Sequence, residues 1–400
     1  MNTPAAAIAG HPAPPAVATW LTLLLAAACG LIAANLYYAQ PLAGPISAAL
    51  GLTPQATGLI VTLTQIGYGL GLLLVVPLGD LFENRRLVVS LIGVAALALL
   101  GAALATHPLP FLVCAWFTGL GSVAVQVLVP YAAHLAPEAA RGRVVGNVMS
   151  GLMLGIMLAR PVASFITALS SWHMVFYFSA AAMALLALLL GRMLPRRVPP
   201  ARLRYGALLV SMAQLVRDTP LLRRRALYHA CLFAVFSLFW TTTPLLLAGP
   251  EFNLSQGGIA LVALAGVAGA IAPPFAGRIA DRGWSYPATG VAMLAVAAAL
   301  LMTRLGTPGS TLHLALLVAA GVLLDFAVAA NFTFGQRAIF ALGAEIRARL
   351  NSIFMTTFFI GGAIGSAVGG WAYAHGGWSF TVWVGLAFPA AALAYYATER

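Results

Sequence analysis

The sequence predicts an all-α integral membrane protein, with about twelve transmembrane helices arranged as two pseudo-symmetric six-helix bundles. Three observations lead there. Residues of the A, V, I, L, M, F, W, Y and C set make up 62% of the 400-residue chain, only 8% is charged, and mean hydropathy is +0.95. A soluble domain is nearer half apolar and a quarter charged. The arginines fall on one side of the predicted spans, and the second half of the chain repeats the first. Soluble enzymes and nucleic-acid-binding domains are thereby excluded, although a net charge of +12 would by itself suggest the latter.

In chain order, residues 1–16 carry several prolines and no Arg or Lys, and read as a disordered tail on the cytoplasmic side rather than a signal peptide. Apolar runs bounded by charge, Pro/Gly clusters or His then place spans at 17–40, 54–78, 87–106, 109–134, 144–169 and 173–193. Each must be helical, because lipid offers no partner for an open backbone. Residues 194–225 hold the densest run of charge, from Arg196 to Arg225, and read as a cytoplasmic linker. Within it Tyr205 to Val216 is apolar but short, a segment suited to the membrane surface. The second set of spans falls at 226–248, 257–279, 287–304, 311–340, 350–374 and 378–397. The units are thus an N-terminal bundle at 17–193, the linker at 194–225 and a C-terminal bundle at 226–400. Cys29, Cys114 and Cys231 lie far apart in apolar runs and fit no metal or disulfide framework.

Orientation follows from arginine, which supplies all 21 basic residues. With the N-terminus inside, the cytoplasmic loops and C-terminus hold every Arg except Arg304, at an outer helix end, and Arg160, inside the fifth span. This is the positive-inside bias, and it puts both termini in the cytoplasm. The repeat is legible in the same loops. Glu138, Arg141 and Arg143 before the fifth span mirror Glu345, Arg347 and Arg349 before the eleventh, and an offset of 206 carries Gly155 to Gly361 and Trp172 to Trp378.

After the eighth span the chain reads Gly277-Arg278-Ile279-Ala280-Asp281-Arg282-Gly283, which resembles the G-x-x-x-D-R loop signature of the major facilitator superfamily. The copy after the second span is degenerate. It keeps Asp80 and the Arg85-Arg86 pair but has Val76 and Leu81 where the family has Gly and Arg. Asn35 to Pro41, Gly155 to Pro161, Gly335-Gln336-Arg337 and Gly361 to Ser366 extend the resemblance to bacterial drug or sugar efflux-type permeases. In the fifth span Ala159-Arg160-Pro161 stands where proton-coupled antiporters carry a Gly-Pro core. The resemblance implies a multi-pass protein of the bacterial inner membrane that works by alternating access. It also implies that Asp80, Arg85, Arg86, Asp281 and Arg282 form a conformational latch, since an Asp at a helix end can bond a neighbouring helix N-terminus or Arg and release it when the halves rock.

Two charges are committed to the membrane interior. Arg160 lies well inside the fifth span and Asp325 near the middle of the tenth. An ionisable residue at such depth is costly unless it is paired or faces water, which makes both functional candidates. Asp325 is the expected proton-coupling residue. Arg160 is expected to anchor a carboxylate or to neutralise Asp325. Asn35, Tyr38, Gln65, Tyr68, Gln126, Trp240 and Asn331 complete the expected substrate lining, with the Asn35/Tyr38 and Gln65/Tyr68 pairs each three apart on one face. Gly155, Gly361, Gly365 and Gly369 have the spacing that lets helices approach closely, and are expected where helices slide between the halves. Trp172 and Trp378 read as belt residues, and His107, His173, His313 and His375 as solvated loop histidines.

The function expected is secondary active transport, foremost proton-coupled export of a small amphiphilic molecule. The alternative is import or exchange of a small organic anion centred on Arg160. A membrane-embedded enzyme or sensor is the reading of another class, disfavoured because the spans hold no nucleophile–base pair and no ligand set for a metal. The expected partners are the small-molecule substrate, protons and the bilayer. No cofactor, metal or nucleic acid is expected, and the chain is expected to act as a monomer.

Overall fold

The computed structural model describes residues 19–198, 204–343 and 345–399; the expected tail at 1–16, Arg202 and Arg400 lie outside the described residues. Helices α1 (Thr19–Ala34) and α2 (Ala39–Leu50) are followed by α3 (Leu59–Leu74), α4 (Asn84–Leu104), α5 (Pro108–Ser122), α6 (Ala124–Leu135), α7 (Arg141–Leu169) and α8 (Trp172–Met193). A separate helix, α9 (Tyr205–Asp218), precedes α10 (Pro220–Ala248), α11 (Gln256–Ala265), α12 (Ala272–Asp281), α13 (Ser285–Met302), α14 (Thr311–Phe340) and α15 (Arg347–Tyr396).

Among the described residues, nine stretches are each long and apolar enough to cross a membrane. The α1–α2 pair, bent by 41°, is a tenth. The shorter apolar helix α11, continued through a 3-10 turn at Gly266–Ile271 into α12, takes the place of an eleventh. The 50-residue α15 breaks at Gly376 and Gly377 and supplies two spans instead of one, which completes twelve. Gly377 has φ 61° and ψ −158°, a backbone state open to glycine and almost nothing else, so the chain can reverse there without a loop.

Proline explains two of the other breaks. The ring of Pro41 excludes the carbonyl of Tyr37, which ends α1 and turns residues 35–38 before α2 resumes. Pro273 and Pro274 do the same to the turn ahead of α12. At the end of α5 the Ser122 hydroxyl donates to Thr118 O at 2.7 Å. The break at 35–38 corrects the expectation that Asn35 and Tyr38 share one continuous helical face. Helix α10 begins at Pro220 rather than at 226, with proline at its first position and Arg223 to Arg225 in its first turns.

Within each half the closest approach is made by small residues. In the first half a Cβ on Gly155 would strike the backbone of Gly30, and one on Gly151 that of Ala26, so α1 and α7 touch along their backbones. In the second half Gly361 and Gly365 meet the backbones of Ala230 and Ala234 in the same way, and Gly369 lies against Leu238, all on α10. These glycines therefore pack α1 on α7 and α10 on α15 inside a half. The contact between halves belongs to others: Gly58 against Ser366, Gly370 against Gly58, and Gly362 against Gln65. Side chains extend this α3–α15 seam, with Thr62 and Ser366 hydroxyls 2.8 Å apart and Thr356 donating to Gly69 O at 3.4 Å.

Three further expectations are corrected. Trp172 and Trp378 are buried, not in the belt: Trp172 packs edge-on against Phe111 and Phe176, and Trp378 donates to Thr303 Oγ1 at 3.0 Å. His313 is also buried, its ring 3.0 Å from Thr303 O, so it closes a helix end instead of facing solvent. Helix α9, expected on the membrane surface, packs one side on protein. Leu208 and Met212 are buried, and Tyr205 donates to Leu74 O at 2.8 Å, tying the linker to the end of α3.

Candidate functional site

Helices α7, α10 and α14 each carry one polar residue to the centre of the molecule. Arg160 stands 19 positions after Arg141 on α7, and Asp325 is 14 positions after Thr311 on α14. At about 1.5 Å per residue, neither lies within roughly 20 Å of its helix start. Arg160 Nη2 approaches Asp325 Oδ2 at 3.8 Å, with only 5% and 6% of the two side chains exposed. Trp240, on α10, engages both charges. Its indole N–H donates to Asp325 Oδ1 at 2.7 Å, and its ring lies 4.1 Å from the Arg160 guanidinium carbon. Phe236 at 5.1 Å and Tyr37 at 6.0 Å complete an aromatic surround for the cation.

The balance of forces at this pair is informative. Two charges at about 4 Å attract by roughly 4 kcal/mol at an effective dielectric of 20. Taking each out of water costs several kcal/mol, so the pair adds little to stability. Its geometry is loose, and Arg160 Nε and Nη1 have no partner among the described residues. A charge kept at such cost, with hydrogen-bonding capacity to spare, is suited to binding something.

The broken α11–α12 span supplies the remaining wall. A Cβ on Gly266 would come within 2.8 Å of Asp325 Oδ2 and 3.0 Å of the Trp240 ring, so only glycine lets this backbone lie against the pair. On the side of Arg160 toward the end of α10, a small pocket is lined by Arg160, Trp240, Thr243, Leu247, Ile259 and Val262, among others. The Thr243 hydroxyl and both amide ends of the fully buried Gln40, next to pocket-lining Pro41, have no partner among the described residues.

The other expected lining residues lie elsewhere. Asn35 accepts from Ser179 at 2.5 Å within the first half. Tyr38 is half-buried, while its neighbour Tyr37 takes the place near Arg160 because the chain turns ahead of Pro41. Gln65 donates to Ser237 at 2.8 Å across the two halves, and Gln126 donates to Tyr68 at 3.0 Å. Asn331 meets the buried His229 at 3.1 Å, in an aromatic cluster with Phe354 and Phe358. Of the eight residues expected to bind substrate, only Arg160 and Trp240 stand at Asp325. Tyr37 and Gly266 were missed. Gly266 alone left a sequence signal, a glycine preceding a Pro-Pro pair.

The latch residues are distributed differently from expectation. Asp281 pairs with Arg337 of α14 at 2.6 Å, and Arg337 also donates to Gly277 O at 2.7 Å. Arg282 is in no ion pair among the described residues. Arg85 and Arg86 turn to Glu83, at 3.7 and 3.0 Å, because Glu83 sits at the start of α4 beside them. Asp80 instead lines a cavity of about 130 Å³ with Arg197 of the linker and Arg349 at the start of α15.

Comparison with known proteins bears on this arrangement. The family model described as Major Facilitator Superfamily matches residues 23–339. The chain is 42% identical over 360 residues to the uncharacterized transporter YgaY of Escherichia coli O157:H7, covering 90% of each. It is 33% identical over 367 residues to SCO4007 of Streptomyces coelicolor, also named as a transporter, covering 91% of this chain and 84% of the relative. Among solved structures, the nucleoside transporter NupG superposes with a TM-score of 0.78 at 17% identity, covering 94% of this chain and 99% of that one. A bacterial homolog of the human lysosomal transporter Spinster, inward-facing and occupied, superposes with 0.74 at 16% identity, covering 95% and 96%. At such identities the two structures establish the fold alone.

Proposed function

Since the chain belongs to the major facilitator superfamily and is a multi-pass membrane transporter, we propose that it moves a small organic anion together with a proton, using Arg160 to hold the anion and Asp325 to hold the proton. The observation that carries this reading is the unused hydrogen-bonding capacity of Arg160 at a site where its counter-charge is within reach. In the empty site Arg160 and Asp325 cancel. An anion arriving at Arg160 would leave one negative charge uncompensated in the core, a state that low-dielectric surroundings penalise by several kcal/mol. A proton taken up by Asp325 restores neutrality and frees Nη2, which can then form a fork to the anion with either unpaired nitrogen. One proton accompanies one anion, and the site is neutral both empty and loaded.

Alternating access would expose this site in turn, the α3–α15 seam parting on one side and the cavity at Asp80, Arg197 and Arg349 narrowing on the other. We take the arginine-rich end to be cytoplasmic in a bacterial inner membrane, from the bias of Arg among the loops. The halves at 17–193 and 226–400 would be the moving bodies, in a monomer. Export of an amphiphilic molecule is the second reading, favoured by the rings of Trp240, Phe236 and Tyr37 around the cation. There cargo and proton would compete for Asp325, so the linkage has the opposite sign.

A thermal-shift screen for ligands, followed by flux in proteoliposomes with and without a pH gradient, separates the two. An inward proton gradient should accelerate anion entry into wild-type vesicles. Asp325→Asn should abolish that acceleration while keeping anion exchange, and Arg160→Gln should abolish both. Wild-type pH dependence in Asp325→Asn would sink the coupling role.

A further inference from the structure

The pocket beyond Arg160 has a chemistry more selective than "anion". In this conformation it is closed to about 10 Å³ and its surface is almost wholly apolar: among the described residues Arg160 is its one charged lining residue, with Thr243 beside it and Leu247, Ile259 and Val262 as apolar walls. Arg160 is 4% exposed and keeps Nε and Nη1 unpartnered among the described residues, so the cation is shielded from solvent with donors unused. Resting on the reading of Arg160 as the anion anchor, we infer that the cargo is a monocarboxylate with a short apolar body, and that dicarboxylates and phosphates are rejected.

A single fork matches one carboxylate. With its head on Arg160, a ligand would lay its body along Leu247, Ile259 and Val262 once α10 and α11 part, since the closed pocket holds little more than a water molecule. A second carboxylate would be driven among these side chains with no cation to meet it. A phosphate dianion would bring two charges to one arginine and one proton. The unpartnered Thr243 hydroxyl adds a neutral donor beside the head group, which suits an oxygen substituent near the carboxylate.

The test compares 2-oxoisovalerate with 2-oxoglutarate, which share a 2-oxo acid head and differ in an apolar against an anionic tail. Counterflow of each is measured in proteoliposomes of the full-length protein, with inorganic phosphate as a third probe. Flux of 2-oxoisovalerate should exceed that of 2-oxoglutarate by at least about 30-fold and vanish in Arg160→Gln. Val262→Ala should shift preference toward longer chains, raising 2-oxo-octanoate flux relative to 2-oxoisovalerate by about fivefold, a ratio that loss of folded protein leaves unchanged. Equal, Arg160-dependent flux of 2-oxoglutarate or phosphate would overturn the monocarboxylate inference and leave the anchor standing. Failure of all three probes to move, or flux indifferent to Arg160→Gln, would remove the anchor and the inference with it.

Discussion

Trp240 holds the two central charges by different chemistries: its N–H donates to Asp325 at 2.7 Å, and its ring faces Arg160 at 4.1 Å. Trp240→Phe separates these roles, keeping an aromatic face for the cation and deleting the donor to the carboxylate. A hydrogen bond to a charged group is worth about 1.5–3 kcal/mol, so the proton-driven uptake rate in this variant should fall roughly ten- to a hundredfold. Measured initial rates equal to wild type would mean that the indole N–H is spectator to the coupling. At this scale the sequence was half informative. A lone Arg and a lone Asp deep in apolar runs declared themselves as candidates, because an ionisable group at that depth is costly unless it is paired or faces water. Which neighbours they meet was not declared. Tyr37 and Tyr38 are indistinguishable as letters, and a proline-induced turn between α1 and α2 decides which one approaches Arg160.

For the helices the deciding residues are small. Gly361 lies so close to Ala230 that an added methyl would overlap backbone, whereas a methyl on Gly93 of α4 would meet nothing within 4 Å. Gly361→Ala should therefore cost about 1–3 kcal/mol, since rigid backbone cannot yield as a flexible side chain can. Gly93→Ala should be neutral or gain up to about 1 kcal/mol from helix propensity. Melting temperatures in detergent check the pair: Gly361→Ala should melt several degrees below wild type and Gly93→Ala at or above it. An equal effect of both would show that backbone proximity is not what Gly361 provides. The glycine spacing on α7 and α15 was visible as a four-residue repeat, and so was its use for close packing. Its partner was not. The stripe binds each half internally, and the contact between halves falls to Gly58, Gly362 and Gly370, which no spacing singles out.

Across the whole molecule, the seam of α3 against α15 must open if the halves rock. Thr62 and Ser366 point at one another across it, their hydroxyl oxygens 2.8 Å apart. Cysteines at both positions, in a background where Cys29, Cys114 and Cys231 are replaced by serine, should oxidise to a disulfide that locks the halves. Transport should drop to background on oxidation and recover on reduction. Full flux through the cross-linked protein would show that access does not alternate at this seam. The fold that sets this geometry was foreshadowed by composition, arginine placement and the 206-residue repeat. These fixed the number of spans and paired their loops, because hydrophobic length and charge are properties of position along the chain. Position along a helix converts directly to depth, at about 1.5 Å per residue, so depth could be read from letters. Rotation about the helix axis could not. In a soluble helix, polarity marks the outward face; here lipid and protein interior are equally apolar, and the pattern carries no mark of which side faces inward. The sequence by itself therefore determined how far into the membrane Arg160 and Asp325 lie. Only the packed structure decided that they face each other, with Trp240 engaging both and Gly266 against them.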